Sequence, residues 1–383
     1  MEFDFLRSID DEILKYISGL TSQQLGSKIV LHTNEQFPDL NKIKIAIIGV
    51  LDNRGDKNAI SDIDLIPIRK ELYGLFPGNW DASIADLGDI LAGDSIKDTY
   101  FALEKVISSL IKKKIIPIVI GGSQDLTYAI YRSYDDLEQM VNLVSIDNSF
   151  DFGKENDDVS ATSYLTQIII DEPNNLFNYC NLGYQTYFNS QEEIDLIEKL
   201  YFDAYRLGEV SKNIAIAEPV FRDADVVSID LNSIKSSDSG NFISFQPNGF
   251  NGKEICSLAR YAGISDKVSS LGIFNHNNTV AESMLVAQII WYFIEGYQYR
   301  SHEYPFGSKE NYLKYTVPLE EEELVFYKSD KTDRWWIEIP FISNGNNKLK
   351  RNTLLPCSFD EYLLACNQEL PERWWKAQRK NIV

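Results

Sequence analysis

The chain has 383 residues, of which 44% are hydrophobic and 25% are charged, and its formal net charge is −20 at pH 7. This length and composition allow a large buried core, whereas the negative charge repels phosphate backbones and argues against a nucleic-acid-binding surface. The sequence contains no run of about 18 apolar residues, so we predict neither a membrane span nor a secretory signal and expect a cytoplasmic protein.

The apolar pattern predicts buried strands that alternate with helices. Strands are predicted at 43–50, 114–122, 140–147, 223–230 and 267–274. Helices are predicted at 67–75, 98–113, 190–210 and 280–297. This alternation favours right-handed crossovers and a mostly parallel sheet with helices on both faces. We therefore expect one α/β domain over residues 1–300.

Past Tyr299 the alternation stops, and we predict a small C-terminal module over residues 301–383. A hairpin is expected at 323–340, and a single helix is expected at 358–377. Ser358 should cap that helix together with Glu361, three residues later.

Tryptophans are concentrated in this module, where they form two adjacent pairs, Trp335-Trp336 and Trp374-Trp375. Neighbouring residues on a strand point to opposite faces, so one ring of the first pair should face the core and the other should face outward. An outward ring beside the basic residues Arg334, Arg373 and Lys376 would suit an interface with a protein partner.

Acidic and amide side chains follow the predicted strands at their carboxyl ends, where ligands bind in such sheets. These strand-end residues are Asp52-Asn53, residues 121–125 (GGSQD), residues 147–151 (DNSFD) and residues 230–232 (DLN). We therefore expect the functional site at this edge of the sheet.

Histidine and cysteine usage limits the chemistry available there. The three histidines are His32, His276 and His302, so none lies between positions 33 and 275. The four cysteines are Cys180, Cys256, Cys357 and Cys366. They lack CxxC spacing, which argues against a disulfide framework and a zinc ribbon. Serine or cysteine nucleophiles also have no histidine partner in any motif.

Three motifs, in order and spacing, resemble those of the ureohydrolase family of arginase, agmatinase and formimidoylglutamase, over residues 40–300. GGSQDLTYA (121–129) stands where the family has Gly-Gly-Asp-His-Ser, and SIDNSFDF (145–152) stands where it has Asp-Ala-His-x-Asp. VVSIDLNSIKSSDSG (226–240) stands where it has Ser-x-Asp-x-Asp, and the residues of this stretch resemble those of formimidoylglutamase-like members in particular. The resemblance implies a three-layer, arginase-like α/β fold with a mostly parallel sheet of about eight strands, here followed by the small C-terminal extension.

The resemblance also implies six ligands for two manganese ions that ionise a bridging water. Three carboxylate positions are retained as Asp147, Asp151 and Asp230. The two histidine positions hold Gln124 and Ser149, and the fourth carboxylate position holds Asn232. The family's substrate-orienting glutamate falls near Ile273. Neutral amides and hydroxyls replace imidazole and carboxylate poorly, so we do not expect a two-metal cluster to persist.

Three interpretations of the altered site remain open. The first is a neutralised polar network without metal, in which the amides and hydroxyl donate to the aspartates. The second is a single hard cation, Mg²⁺ or Ca²⁺ rather than Mn²⁺, on the three aspartates with Ser149, Asn232 or Asp125. The third is an active dinuclear hydrolase. His276 could be proposed as a substitute ligand or base, but a lone histidine in a polar loop is more often hydrogen-bonded or solvated.

We predict a catalytically inactive family member that acts in binding or scaffolding, without a cofactor. A protein partner bound through the C-terminal module is expected, and a homo-oligomer is a further option. The alternative is a metal-dependent hydrolase of amidine C–N bonds that resembles formimidoylglutamase.

Overall fold

The computed structural model describes residues 2–58, 62–137, 139–154, 158–303, 305, 309–320, 322–339 and 354–382. Within those ranges the chain forms a large ten-stranded sheet and, towards its C-terminal end, a four-stranded antiparallel sheet. Position 340, the last residue of the predicted hairpin, lies outside the described residues. The predicted division of the chain at residue 300 stays a prediction.

The large sheet is mostly parallel, as the sequence predicts. Its strands are β1 (Leu6–Arg7), β2 (Val30–Leu31), β3 (Ile45–Leu51), β4 (Ile84–Leu91), β5 (Ile116–Ile120), β6 (Val141–Ile146), β7 (Leu176–Tyr184), β8 (Asp203–Arg206), β9 (Val226–Asp230) and β10 (Ser270–Phe274). Their spatial order is β1-β4-β3-β5-β10-β9-β6-β7-β8, with β2 paired to β4. β1 is antiparallel to β4, and the other pairs are parallel. The sheet agrees with the mostly parallel sheet of about eight strands that the resemblance implies, with the short strands β1 and β2 in addition.

Helices cover both faces of this sheet and produce the predicted three layers. They are α1 (Asp11–Ser18), α2 (Ile66–Gly74), α3 (Ile96–Lys112), α4 (Leu126–Arg132), α5 (Tyr164–Ile170), α6 (Gln191–Lys199), α7 (Leu207–Lys212), α8 (Ala217–Asp223), α9 (Ser236–Ser239), α10 (Gly252–Ile264) and α11 (Val280–Gln298). Successive residues of β3 show why two layers of helices are needed. Ile45 and Ile47 belong to one hydrophobic cluster, and Ala46 and Ile48 belong to the other. No helix in the described part of the chain is long and apolar enough to cross a membrane.

The predicted single helix over 190–210 is wrong. Ser190 and Glu193 form a capping box that begins α6, and the helix ends at Lys199. Tyr201 then adopts a φ of 55°, a left-handed conformation that ends a helix, and the chain continues as β8 beside β7. The apolar residues keep a helical spacing across this break, so the sequence pattern alone does not predict where the helix ends.

The C-terminal module has its own small sheet and two helices. Its strands are β11 (Tyr312–Pro318), β12 (Glu323–Ser329), β13 (Trp335–Glu338) and β14 (Leu354–Cys357), and its helices are α12 (Phe359–Cys366) and α13 (Glu372–Ile382). The β12–β13 hairpin and the Ser358–Glu361 capping box match the sequence expectation. The expected single helix over 358–377 is wrong, because Gln368 has a φ of 70° and Pro371 follows, and these residues separate α12 from α13.

The expectation that one ring of Trp335 and Trp336 faces solvent is also wrong, since both rings are buried. Trp335 stacks on Tyr362, with ring centroids 4.7 Å apart. Trp336, on the opposite face, lies under the guanidinium of Arg222, which is 4.8 Å from its ring centroid. The main domain therefore buries the face of β13 that we expected to be exposed to solvent.

The module packs against the amino ends of the central and edge strands. Arg222, which precedes β9, donates hydrogen bonds to the carbonyls of Trp335 and Cys357 at 3.0 and 2.8 Å. Lys376 of α13 lies 3.6 Å from the carboxylate of Asp203, the first residue of β8. These contacts place the module at the edge of the sheet opposite to the carboxyl ends of the strands.

Candidate functional site

The candidate site lies at the carboxyl ends of four neighbouring strands, β5, β10, β9 and β6. The structure brings together all six residues that the sequence motifs single out: Gln124 after β5, Asp147, Ser149 and Asp151 after β6, Asp230 at the end of β9, and Asn232 beyond it. Ser149, Asp151, Asp230 and Asn232 line a cavity of about 2140 Å³, whereas Gln124 and Asp147 lie buried beneath its floor.

Gln124 connects two strand ends through its side-chain amide. Its Nε2 atom lies 2.5 Å from Asp147 Oδ2, 3.2 Å from the hydroxyl of Tyr164 and 3.3 Å from Ser145 Oγ. All of these residues are buried. An amide nitrogen is a donor without a free lone pair, so in this orientation the Gln124 nitrogen stabilises the Asp147 carboxyl and is not itself a metal-binding atom.

Ser149 connects the two aspartates that flank it. Its backbone N–H donates to Asp147 Oδ1 at 3.0 Å, and its hydroxyl donates to Asp151 Oδ1 at 2.8 Å. Asp151 has a φ of 57°, the left-handed conformation that aspartate tolerates better than most residues, and this turn directs the residue to the cavity floor. Its Oδ2 atom accepts no hydrogen bond from an N–H or hydroxyl of the described residues.

Asp230 accepts hydrogen bonds from amides on two loops. The backbone N–H of Asn232 donates to Asp230 Oδ1 at 2.7 Å, and the side chains of Asn232 and Asn275 also interact with the carboxyl. Asn275 is the first residue after β10, whereas Ile273, where the family's glutamate was expected, is a buried strand residue. The residue that follows β10 therefore presents an amide, Asn275, to the site and not a carboxylate.

Burial controls the ionisation of the three aspartates. It raises the pKa of Asp147 well above its usual range, and the neighbouring Asp151 charge raises it further. Burial also raises the pKa of Asp151 to about 7, although a hydrogen bond with Asp147 opposes this rise. For Asp230, burial together with the Asp147 charge raises the pKa to about 8. Near pH 7 the cluster therefore retains protons and carries far less than three negative charges.

Asp125 belongs to a separate network and not to the oxygen set proposed for a single cation. Its Oδ2 accepts a hydrogen bond from the Tyr100 hydroxyl at 2.6 Å. Gly55 packs so closely above it that an added Cβ atom would lie 2.0 Å from Asp125 Oδ1. Burial raises the pKa of Asp125 to about 6, and the charge of Asp52 contributes.

His276 is buried in the wall of the cavity with both ring nitrogens in contact with other groups. Nδ1 accepts from the backbone N–H of Asn278 at 3.3 Å, and Nε2 lies 3.3 Å from Ser283 Oγ. Burial lowers the pKa of His276 to about 4, so the ring is neutral at pH 7. These contacts leave no free ring nitrogen for a metal ion or a substrate proton.

Several residues of the site escaped the sequence motifs. Tyr164 begins α5, and Glu282 lies in the first turn of α11, where it accepts the Asn277 N–H at 2.6 Å. Burial raises the pKa of Glu282 to about 7. Asn181 of β7 donates to the carbonyl of Ser149 at 2.8 Å. Asn275 also lay outside the three motifs, but its position directly after a strand was a sequence signal for it. Tyr164, Asn181 and Glu282 had no such signal, because they reach the site from elements outside the motifs.

A family model described as the arginase family matches residues 67–294 of this chain. The formimidoylglutamase of Geobacillus thermodenitrificans is 31% identical over 131 residues, which are 33% of this chain and 38% of that protein. The formimidoylglutamase of Geobacillus sp. strain WCH70 is 25% identical over 210 residues, which are 52% of this chain and 64% of that protein. The aligned regions thus span less than two thirds of either relative.

Solved structures with the same fold cover more of the chain at lower identity. Trypanosoma cruzi formiminoglutamase with manganese superposes with a TM-score of 0.64 at 18% identity, covering 72% of this chain and 99% of that one. Bacillus subtilis formimidoylglutamase gives a TM-score of 0.61 at 18% identity, with coverages of 71% and 91%. Agmatine ureohydrolase of Thermoplasma volcanium gives 0.57 at 17% identity, with coverages of 74% and 97%.

Proposed function

Because this chain belongs to the arginase family, we propose that it is a member without hydrolytic activity whose strand-end cavity serves in binding. The observation that carries this proposal is the hydrogen bond from the Gln124 amide to the buried carboxyl of Asp147. The amide of Gln124, a hydrogen-bond donor, thus stands at a position where a pair of metal ions would need a ligand. Amides and a hydroxyl donate hydrogen bonds to the three aspartates.

The residues present do not fit a pair of divalent ions. Two ions a few ångströms apart require several anionic or imidazole donors around them, and the site offers only three carboxyls, with neutral amides and a hydroxyl at the other three positions. Within the described ranges, no group of three or more His, Cys, Asp and Glu side chains has a geometry that would hold a metal ion. We therefore derive no hydrolytic step for this chain.

We also propose that the C-terminal module carries a surface for a protein partner. The outer face of α12 exposes Phe359, Leu363 and Leu364, and Trp375 of α13 is partly exposed beside Tyr201. Apolar side chains grouped on one face are typical of protein interfaces. This surface lies at the opposite edge of the sheet from the cavity, so a partner bound there would leave the cavity open.

Metal content and turnover, measured on the same preparation, test the absence of hydrolysis. The protein would be purified with added MnCl₂, dialysed, analysed for metal, and assayed for urea and formamide release from arginine, agmatine and formimidoylglutamate. Bacillus subtilis formimidoylglutamase, treated identically, is the positive control. We expect well below one manganese ion per chain and no release, whereas about two ions with turnover would refute the proposal. One tightly bound magnesium or calcium ion would support the single-cation interpretation instead.

A further inference from the structure

A second cavity, called the edge cavity below, lies at the outer edge of the large sheet, where β1 pairs with β4 beside α3. Its volume is about 410 Å³, within the range of roughly 300–1,000 Å³ that is typical of small-molecule sites. Of the described residues, Phe101 lines both the edge cavity and the strand-end cavity. The aspartates of the strand-end site are not among the described residues that line the edge cavity, so its occupancy does not depend on metal at that site.

The walls of the edge cavity are mostly apolar. They are formed by Phe5, Leu6, Ile90, Leu91, Phe101 and Ala102. The rings of Phe5 and Phe101 meet edge to face, with centroids 6.0 Å apart, and these side chains are 39% and 52% exposed. Leu91 is 45% exposed. Apolar surface that a ligand removes from water contributes favourably to binding. The walls therefore favour an occupant with an apolar body.

Close packing and hydrogen bonds hold both sides of the edge cavity in place. On one side, β1 passes directly over Gly88, where an added Cβ atom would lie 1.8 Å from the carbonyl oxygen of Arg7. On the other side, the N–H of Gly93 donates to Thr99 Oγ1 at 3.0 Å, and the guanidinium of Arg54 donates to the Gly93 carbonyl at 2.9 Å. A cavity formed in advance loses little free energy to ordering when a ligand binds.

Three charged residues line the edge cavity, namely Asp4, Arg7 and Asp98. The carboxylate of Asp98 already accepts the backbone N–H and the hydroxyl of Ser95, at 2.7 and 2.8 Å. Asp4 also has an interaction partner. The side chain of Arg7 is exposed, and it makes no hydrogen bond or ion pair with another described residue. Its guanidinium is therefore available to an anionic ligand.

The charge around the edge cavity also limits the kind of anion. A guanidinium binds carboxylates and phosphates with two parallel hydrogen bonds. A phosphate ester carries nearly two negative charges, and it would approach Asp4 and Asp98 on a chain whose net charge is −20. A carboxylate carries one charge and meets less repulsion. The cavity therefore favours a carboxylate over a phosphate.

We infer that the edge cavity binds a small amphipathic carboxylate, whose aromatic or alkyl body covers Phe5, Leu91 and Phe101 and whose carboxylate is held by Arg7. The apolar walls supply most of the contact area, and the guanidinium selects the anionic head group. This site is separate from the strand-end cavity, so both can be occupied at once.

Calorimetric titration tests this inference with two probes of the same shape, 4-phenylbutyrate and its neutral analogue 4-phenylbutyramide. We expect the carboxylate to bind at least about tenfold more tightly than the amide, because a charge-assisted pair with Arg7 is lost in the amide. Arg7→Gln should abolish this preference. The double variant Phe5→Ala/Leu91→Ala should weaken the binding of both probes about tenfold, because it removes apolar wall.

Matched controls carry the same changes elsewhere on the surface. Arg206→Gln alters an exposed arginine at the end of β8. Phe188→Ala removes a phenyl group that is 45% exposed and lines only the strand-end cavity of the two. Both controls should bind 4-phenylbutyrate as the wild-type chain does. All the altered side chains are at least partly exposed, and thermal unfolding confirms that each variant is folded before it is titrated.

Four results would overturn the inference. Equal affinity for the carboxylate and the amide, or a preference that survives in Arg7→Gln, contradicts the carboxylate site. The absence of binding by both probes contradicts a ligand site at the edge cavity. Tighter binding of 4-phenylbutyl phosphate would assign the cavity to phosphate esters. Binding that is weakened by Phe188→Ala but not by Phe5→Ala/Leu91→Ala would place the probe in the strand-end cavity.

Discussion

The amide nitrogen of Gln124 lies 2.5 Å from Oδ2 of Asp147, between the ends of strands β5 and β6. Both residues are fully buried, and the same carboxyl accepts the backbone N–H of Ser149 on its other oxygen. A buried carboxyl is costly unless donors surround it. The amide of Gln124 and the N–H of Ser149 therefore supply a donor to each oxygen of this buried carboxyl.

Replacing Gln124 by its acidic isostere should destabilise the protein in a pH-dependent manner. Gln124→Glu removes the donor and places a second carboxyl against Asp147, so we expect a loss of about 2–4 kcal/mol in the free energy of unfolding at pH 8. The loss should be smaller at pH 5.5, where the new carboxyl is protonated and can donate. Urea unfolding at both pH values measures the effect. Gln191→Glu, on the exposed first turn of α6, is the control and should change stability by less than about 0.5 kcal/mol.

Stability should fall as the pH rises from about 4 to 8. Folding raises the pKa values of Asp151 and Asp230 from the ordinary 3.8 to about 7 and about 8, chiefly by burial. The folded state thus binds more protons than the unfolded state within this window, and the stabilisation is lost as the pH passes the folded-state pKa values.

Asp151→Asn and Asp230→Asn remove one titrating group each. We expect each variant to reduce the stability difference between pH 5 and pH 8.5 by about 1–3 kcal/mol. Asp11→Asn, an exposed acidic residue of α1, is the matched control. Variants that keep the full wild-type pH dependence would show that the carboxyls are not protonated in the folded protein.

Arg222 should hold the C-terminal module on the main domain. Its guanidinium donates to two carbonyls of the module and covers the Trp336 ring, so Arg222→Ala leaves buried acceptors without donors. We expect a loss of about 2–4 kcal/mol in the free energy of unfolding, together with faster proteolysis of the C-terminal module and a red shift of tryptophan fluorescence. Arg7→Ala, at an exposed position, should change none of these observables. An unchanged proteolysis rate in Arg222→Ala would contradict this prediction, because other contacts would then be enough to hold the module on the main domain.

Restoring the replaced donors should create manganese affinity. The triple variant Gln124→His, Ser149→His and Asn232→Asp would supply two imidazoles and a fourth carboxylate at strand ends that already converge. Calorimetry should then detect manganese binding that the wild-type chain lacks. A folded triple variant without affinity would show that the strand ends do not have the geometry that two ions require.

Local patterns predicted β3 and the four strands that carry the site, but not β1, β2, β4, β7 or β8. β5, β6, β9 and β10 are mostly apolar runs of strand length, so their ends could be placed from sequence. The resemblance to the ureohydrolase motifs then singled out the six site positions. β4 contains Asp86 and Asp89, which look incompatible with a buried strand. Both carboxylates bind the buried guanidinium of Arg69 on α2, at 2.9 and 2.7 Å, and a partner from another element is invisible to a local pattern.

Tertiary contacts also explain what was missed in the site and in the module. The hydroxyl of Tyr164 and the amide of Asn275 reach the aspartates from α5 and from the loop after β10, outside the motifs that hold the acids. Trp336 is buried only because Arg222 and the rest of the main domain cover its face. The alternation of side chains along a strand defines two faces, but it does not say what covers each of them.

Anomalous diffraction from crystals soaked in MnCl₂ tests the central claim most directly, since it locates manganese independently of affinity assays. We predict no manganese peak among Asp147, Asp151 and Asp230, with the Gln124 amide still directed at Asp147. Two peaks a few ångströms apart, bridged by these carboxylates, would contradict the account.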